Sequence, residues 1–315
     1  DMHHYQSIDA PAAQAMIARL KAILQAAEAV GMSPGLTTLA NEGFASTPEA
    51  LKADWTAGHD GYFRAPGGHY HCEVCPDKPG GMELILQTRR QVFEAFREVD
   101  LGFIWLWTYD QGGCTCTACA PWGTRGFLRT CEALTPLLTE YFPRAKAVLS
   151  TWYFDRFIAG EWEGLSRRFA DGPPPGIDVL MIDDFGGFPE YPLQHGVPGG
   201  LPAIGFPEIS MEGNSPWGGF GANPRPRHWS AYWDKARHLL EGSFPYSEGI
   251  YEDVNKVLIL QFEWSPERPA EDILREYARG YFGAATAEVV ADVMQRLEDD
   301  GALQATAGPD GPTFK

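Results

Sequence analysis

Residues 103–123 read FIWLWTYDQGGCTCTACAPWG, and this stretch is the most informative part of the chain. An apolar aromatic run ends at Tyr109, Asp110 and Gln111, and a Gly-rich segment with three cysteines follows. Barrels and open parallel sheets place polar chemistry at the carboxyl end of a buried strand, where the chain opens into a loop. The stretch therefore predicts a parallel α/β sheet with a polar site at the end of this strand.

The same alternation of strand and helix continues along the whole chain. Apolar periodicity predicts helices at 11–30, 83–99, 126–141, 161–169, 229–240, 270–282 and 287–297. Seven predicted strands end near Asn41, Val74, Asp110, Trp152, Asp184, Glu212 and Glu248. This pattern favours an α/β fold of the (β/α)8 TIM-barrel type. The alternative is a doubly wound sheet, which usually carries a GxGxxG turn after a strand, and this sequence has none there.

A barrel needs eight strands, so we expect the first strand at or just before residues 1–5, unless the chain lacks it. On this count Asp110 follows the fourth strand and Glu212 the seventh, and their ends face each other across the barrel. The predicted division is a catalytic barrel at 1–283 and a C-terminal helix with a polar tail at 284–315.

Composition excludes several kinds of partner. The 315 residues carry a formal charge of −17, whereas nucleic acids and anionic membrane surfaces require a basic patch. No apolar run approaches the ~18–20 residues of a transmembrane helix. The sequence indicates no organic cofactor and leaves the oligomeric state open. A cytoplasmic location is favoured if the cysteines bind zinc, because disulfides are rare there.

Acidic residues follow several predicted strands and would converge on one face of a barrel. Cleavage of a glycosidic bond needs one carboxyl group as proton donor and another as nucleophile or base. We expect Asp110 to be the proton donor, with a raised pKa, and Glu212 to be the nucleophile or base. Asp184 and Glu248 would orient these groups or bind hydroxyls. For any single acid, a helix N-cap or a salt bridge is the structural alternative.

Aromatic and polar residues near the same strand ends are candidates for sugar binding. The predicted substrate-binding residues are Asn41, Glu42, Tyr109, Trp122, Trp152, Asp183, Trp217 and Tyr251. Core packing is the alternative for the aromatic residues, although Trp122 and Trp217 lie in Gly/Pro loops and are expected to be less buried. Arg125 is a candidate partner for an anionic substrate group, with a surface salt bridge as its alternative.

Five of the six cysteines fall into two close groups in the sequence. Cys114, Cys116 and Cys119 have C-x-C-x2-C spacing, and Cys72 and Cys75 precede them with C-x2-C spacing. We predict a structural Zn²⁺ site, which would clamp the loop that carries the strand-end acid. Its predicted ligands are Cys75, Cys114, Cys116 and Cys119, with Cys72 as a substitute. Disulfides and reduced thiols are the alternatives, and Cys131 is expected to be a buried free thiol.

A family resemblance adds to this interpretation. The segments FPYSEGIYEDVNK (244–256), QFEWSP (261–266) and ILREYARGYFG (273–283) resemble the end of the catalytic barrel in alpha-glucuronidase-like and hexosaminidase-like glycoside hydrolases. YDQGG (109–113) resembles the acid-bearing strand end of such enzymes. The resemblance implies a retaining or inverting exo-glycosidase with a barrel fold, acting on a carbohydrate. A glycan that contains a uronic acid or an amino sugar is a candidate substrate, which the resemblance does not select. Gln111 stands where hexosaminidases have the Glu of an Asp-Glu pair, so the resemblance implies the class and not their substrate-assisted mechanism.

Two other functions fit parts of the pattern. The cysteines at a strand end would suit a zinc-thiolate transferase built on a barrel. The chain could instead be a carbohydrate-binding barrel without catalysis. Metal analysis distinguishes the first alternative, and activity on a panel of glycosides distinguishes the second.

Overall fold

In the computed structural model of the chain, the described residues are 9–43, 46–54, 73–109, 112–184, 187–210, 224–247 and 253–304. Their helices are α1 (Ala10–Ala29), α2 (Gly81–Phe96), α3 (Gly126–Tyr141), α4 (Glu161–Arg168), α5 (Glu190–His195), α6 (Pro226–Ala236), α7 (Asp253–Trp264), α8 (Ala270–Phe282) and α9 (Ala287–Gln304). The strands are β1 (Gly35–Leu39), β2 (Phe103–Trp107), β3 (Lys146–Ser150), β4 (Val179–Asp183), β5 (Ala203–Phe206), β6 (Glu208–Ser210), β7 (Gly242–Ser243) and β8 (Tyr246–Ser247). None of these helices is long and apolar enough to cross a membrane.

Six strands form one sheet in the hydrogen-bonded order β1-β2-β3-β4-β5-β7. The pairs β1/β2, β2/β3, β3/β4 and β5/β7 are parallel, with helices in the connections. A doubly wound sheet reverses its strand order at a switch point, whereas here each strand lies beside the next sheet strand of the chain. The α/β prediction is confirmed, and the order is consistent with part of a TIM-type barrel. Closure with eight strands stays a prediction.

One predicted strand is wrong in its described part. Residues 73–74 contribute only an isolated antiparallel bridge between Lys52 and Val74, and β1 pairs directly with β2. The reason is that Val74 N–H donates to the carbonyl of Asn41, beyond the end of β1, and Cys75 N–H donates to that of Leu51. In the described part of the chain, therefore, no strand lies between β1 and β2. The first strand expected at residues 1–5 lies outside the described residues.

Two prolines interrupt the last strands. The strand predicted to run from 202 to 209 is divided at Pro207 into β5 and β6, and β7 and β8 are separated at Phe244 and Pro245. Proline has no N–H to donate, so a sheet ladder breaks there. β6 and β8 form a separate two-stranded parallel ladder, in which Tyr246 N–H donates to the carbonyl of Pro207.

The chain divides into two compact units, Asp1–Met181 with His195–Pro202, and Ile182–Gln194 with Ala203–Lys315. The first unit has its core between β2, β3 and β4 and the buried faces of α2 and α3. Gly35 is required in β1, because a Cβ there would lie 2.2 Å from the ring of Trp105. The predicted barrel at 1–283 and extension at 284–315 remain a prediction.

α1 has the predicted bounds but not the expected buried face. The Asp9 side chain accepts a hydrogen bond from Ala12 N–H at its N-terminus, and Gly31 follows its end with φ 84°. None of its side chains is buried, and Met16 and Ile23 are 64% and 56% exposed. Apolar periodicity thus predicted the helix correctly, although it did not show that these apolar side chains are exposed.

In the second unit, a carboxylate of α9 caps the N-terminus of α6. Glu298 accepts hydrogen bonds from the backbone N–H groups of Arg227 (2.8 Å) and His228 (2.9 Å), in the first turn of α6. Its side chain is 12% exposed. A negative charge at a helix N-terminus satisfies unpaired N–H donors and interacts favourably with the helix dipole.

Glu298→Ala is therefore expected to lower the free energy of unfolding by about 1–3 kcal/mol, measured by urea denaturation at neutral pH. Asp292→Ala is the matched control on the same helix, because Asp292 forms an exposed ion pair with Arg296. Such pairs contribute about 0.3–0.5 kcal/mol. Equal losses in the two variants would contradict the capping role of Glu298.

Candidate functional site

The four predicted metal ligands of the first unit come together. Their sulfur atoms all lie within 4.8 Å of one another. Cys75 Sγ lies 3.6 Å from Cys114 Sγ, 3.9 Å from Cys116 Sγ and 4.0 Å from Cys119 Sγ. A tetrahedron of Zn–S bonds of about 2.3 Å has S–S edges of about 3.8 Å. These residues, which we call the four-cysteine cluster, could therefore hold a metal ion.

Backbone N–H groups prepare the four-cysteine cluster for negative charge. The Cys75 sulfur accepts hydrogen bonds from the N–H groups of Asp77 and Lys78, and the Cys114 sulfur from those of Asp54 and Cys116. Hydrogen bonding from Cys119 lowers the pKa of Cys114 to about 5, against the opposing effect of burial. Burial raises the pKa of Cys75 to about 11, and the hydrogen bond with Cys114 raises that of Cys119, so Cys114 is the thiolate of the metal-free cluster. Metals bind thiolates, so donors of this kind favour the metal-binding form of the cysteines.

A cation also contacts the cluster. Arg129, on α3, places Nη2 at 3.7 Å from Cys119 Sγ and Nη1 at 3.0 Å from an oxygen of Asp77. Three of the four cysteines are buried and Cys116 is partly exposed. All four are free thiols, as is the buried Cys131 on α3, which confirms the prediction for that residue. Cys72, the predicted substitute ligand, lies outside the described residues.

Two predicted substrate-binding residues lie near this cluster and have other partners. Asn41 is fully buried, and its amide donates to the carbonyls of Val74 (3.1 Å) and Gly113 (2.9 Å). Its oxygen accepts from Gly113 N–H. Asn41 thus joins the end of β1 to the loop that follows β2. Glu42 is half-buried, and its carbonyl accepts from Arg89 of α2.

Tyr109 and Trp122 are fully buried, so the expected exposure of Trp122 is wrong. Trp122 Nε1 donates to the carbonyl of Thr108 at 3.0 Å, because its loop folds back under β2. The hydroxyl of Tyr109 donates to Glu161, which also accepts from the N–H groups of Gly123 and Asp155. Sequence reasoning missed Glu161, whose burial raises its pKa to about 7.

The second unit contains a buried acidic pair. Asp183 ends β4 and Asp184 follows it, and each is 7% exposed. Asp184 N–H donates to the carbonyl of Phe206 at the end of β5. Burial and, to a smaller extent, the charge of Asp183 raise the pKa of Asp184 to about 7, although Arg225 and Lys235 oppose the shift. This carboxyl group is therefore poised to exchange a proton near neutral pH.

Arg225, just before α6, and Tyr232 and Lys235 of α6 interact electrostatically with this pair, and sequence reasoning did not single them out. Burial lowers the pKa of Arg225 and lowers that of His228 to about 4, so this histidine is neutral at pH 7. Tyr232 is buried, and its hydroxyl has no hydrogen-bond partner among the described residues. Burial and the charge of Asp184 raise its pKa. The run Arg225-Pro226-Arg227-His228 groups three basic side chains around a proline, and it was the sequence feature that could have drawn attention to this region.

Several predicted residues cannot be placed. Asp110, Glu212 and Glu248, and the sugar-binding candidates Trp217 and Tyr251, lie outside the described residues. Trp152 is buried at the end of β3. The described structure thus gathers the cysteines in one unit and the Asp183–Asp184 pair in the other.

Comparisons with known proteins assign no family. No protein-family model matches the chain, and no curated protein matches it. Among solved structures, a family 89 glycoside hydrolase from Clostridium perfringens in complex with PUGNAc is similar to it, with a TM-score of 0.43 and 13% identity. The likeness covers 71% of this chain and 24% of that chain, so this chain spans about a quarter of the neighbour's length.

Proposed function

We propose that the chain is a catalytic part of a glycoside hydrolase in which Asp184 is the proton donor. The observation that carries the proposal is the pKa of about 7 of this buried carboxyl at the end of β4. A general acid must hold its proton at the working pH and release it during the reaction. Among acidic groups, a buried carboxyl beside a second one meets both requirements.

In the proposed step, Asp184 gives its proton to the glycosidic oxygen as the bond between that oxygen and the anomeric carbon breaks. The bonding electrons leave with the oxygen, and the sugar gains oxocarbenium character. A second carboxylate then attacks the anomeric carbon or activates a water for that attack. Glu212 keeps the predicted role of nucleophile or base.

Asp184 thus takes the donor role that the sequence suggested for Asp110. Glu248 keeps its predicted role of orienting the catalytic carboxyl groups or binding hydroxyls. The substrate is a carbohydrate, and a glycan that contains a uronic acid or an amino sugar is a candidate.

The four-cysteine cluster completes the proposal as a structural zinc site. Four thiolates fill a tetrahedron, whereas catalytic zinc keeps one position open for water or substrate. The arrangement therefore favours a stabilising ion over the zinc-thiolate transferase alternative. The ion would join Cys75 to the loop 112–123, which directly follows β2 and residue 110.

Chromogenic glycosides of differing sugar and anomeric configuration would test the reaction. We expect turnover of at least one of them, with kcat falling as the pH rises above about 7, because deprotonation of the general acid removes the donor. The measurement is a pH–rate profile of kcat and kcat/KM. Sugar binding without any turnover would favour the carbohydrate-binding alternative, and neither binding nor turnover would contradict the proposal.

A further inference from the structure

The loop between β3 and α4 has an unusual backbone. Residues 152–157 read WYFDRF. Tyr153 has φ 62° and Asp155 has φ 63°, and no other non-glycine residue in the described part of the chain has a positive φ. Side-chain crowding makes this conformation unfavourable, and it persists only where surrounding contacts enforce it. Strain of this kind is concentrated at binding sites.

Two sets of contacts enforce the strained conformation. Asp155 N–H donates to Glu161 at 3.1 Å, and Glu161 N–H donates to Asp155 at 2.6 Å. Tyr153 stacks on Trp152, with ring centroids 3.7 Å apart and planes at 14°. Trp152 is buried and also packs against Trp107 of β2. The loop is thus fixed on a rigid base.

This loop presents an arginine and an apolar ring to solvent. The guanidinium carbon of Arg156 lies 4.3 Å from the centroid of the Tyr153 ring. Phe157 is 41% exposed, and its ring meets those of Tyr153 and Tyr109 edge to face at 5.4 Å and 5.2 Å. Arg156 is exposed and Tyr153 is half-buried. We call Trp152, Tyr153, Arg156 and Phe157 the β3 platform.

We infer that the β3 platform is a binding site for a sugar that carries an anionic group, a carboxylate or a sulfate ester. The guanidinium of Arg156, 4.3 Å from the ring centroid of Tyr153, carries a planar fork of N–H groups that matches the two oxygens of such an anion. The exposed Phe157 ring supplies the apolar surface on which the C–H face of a pyranose packs.

Arg156 lies in a strongly acidic chain, whose formal charge of −17 disfavours the binding of anions in general. A fixed arginine at the carboxyl end of β3 therefore selects for an acidic ligand locally. That the ligand is a sugar rests on the proposed function. The binding itself does not, because the platform residues take no part in proton transfer.

The test is calorimetric titration of the whole chain with methyl glucuronide, glucose 6-sulfate and methyl glucoside. We expect both acidic sugars, or one of them, to bind at least about tenfold more tightly than the neutral one. The stronger of the two identifies the anion. Arg156→Gln should remove this preference and leave the affinity for methyl glucoside unchanged. Phe157→Ala should weaken the binding of all three.

Two further arginines complete the test, Arg167 as a control and Arg125 as the competing anion partner. Arg167→Gln removes an exposed charge on α4 that pairs with Glu163 and should leave binding unchanged. Arg125, whose Nη1 donates to the carbonyl of Ala120, is the competing anion partner. Loss of the acidic preference in Arg125→Gln, with Arg156→Gln unaffected, would overturn the inference. Equal affinity of the wild type for acidic and neutral sugars, or no binding, would overturn it as well.

The strained backbone gives a second, independent pair of variants. Asn tolerates positive φ and can keep the acceptor oxygen, whereas Ala can do neither. Asp155→Asn should therefore retain acidic-sugar binding and Asp155→Ala should weaken it severalfold. If Asp155→Ala does not fold, Arg156→Gln alone decides. Because binding is measured without turnover, a failure of hydrolysis with retained acidic-sugar binding contradicts the proposed function and not the β3 platform.

Discussion

Asp184→Asn is expected to lower kcat/KM for glycosides by about 10²- to 10⁴-fold, the usual contribution of a general acid, while making the folded protein more stable above pH 7. Asparagine has nearly the shape of aspartate, but its amide has no acidic proton to transfer to the leaving group. It also carries no charge, so it avoids the cost of burying a carboxylate that is 7% exposed beside Asp183. Loss of activity together with a gain in stability distinguishes a functional group from a structural one.

The stability gain has a defined pH window. The folded-state pKa of Asp184 is raised from 3.8 to about 7, so the folded state binds this proton more tightly than the unfolded state. The favourable contribution is complete below about pH 4 and is lost as the pH rises to about 7. The variant should therefore exceed the wild type by about 2–4 kcal/mol at pH 8 and show no such gain below pH 4.

Urea denaturation at a series of pH values measures this difference. Asp171→Asn, at an exposed position, is the matched control and should change neither activity nor the pH dependence. Asp183→Asn should move the alkaline limb of the pH–rate profile to lower pH, because it removes a charge that helps to hold the proton on Asp184. Wild-type turnover by Asp184→Asn, or parallel stability curves for the two proteins, would refute the assignment.

Helices with clear apolar periodicity were predictable from the sequence. α3 and α8 have the predicted bounds: α3 ends just before Phe142 and Pro143, and α8 ends just before Gly283. The strand predicted to end near Val74 was wrong, because so short a segment has no periodicity that separates a sheet strand from a loop segment. The backbone N–H groups of Val74 and Cys75 found partners in residues 41 and 51, and only the folded chain reveals such pairings.

The candidate site was predictable to the extent that it depends on spacing. Close cysteine pairs predicted the grouping of Cys75 with Cys114, Cys116 and Cys119. The spacing did not show how the two groups meet: Cys75 follows an isolated backbone bridge and not a sheet strand. The raised pKa of Asp184 was not predictable, because it depends on burial in the fold and on the opposing charges of Arg225 and Lys235, which lie 41 and 51 positions along the chain. The burial of Trp122 was not predictable either, because it depends on a loop that folds back until Trp122 Nε1 reaches the carbonyl of Thr108.

Removal of the metal from the four-cysteine cluster is expected to have the largest effect on stability. We expect the purified protein to contain one zinc ion per chain and Cys75→Ser to contain much less. The sulfur of Cys75 lies within 4.0 Å of each of the other three sulfur atoms, and a serine hydroxyl is a poor zinc ligand. The free energy of unfolding should fall by at least about 3 kcal/mol, because binding to a structural site is coupled to folding.

Three measurements check this expectation. Elemental analysis gives the metal content, denaturation with and without a chelator gives the stability, and the visible spectrum after Co²⁺ substitution reports tetrahedral thiolate coordination. Cys131→Ala is the matched control, because Cys131 is a buried free thiol outside the cluster. The free energy of unfolding of Cys131→Ala should fall by about 1 kcal/mol, because the substitution leaves a small cavity. Its metal content and its response to the chelator should be those of the wild type. A wild-type protein that binds no zinc under reducing conditions, or a Cys75→Ser variant that binds zinc as the wild type does, would contradict the site.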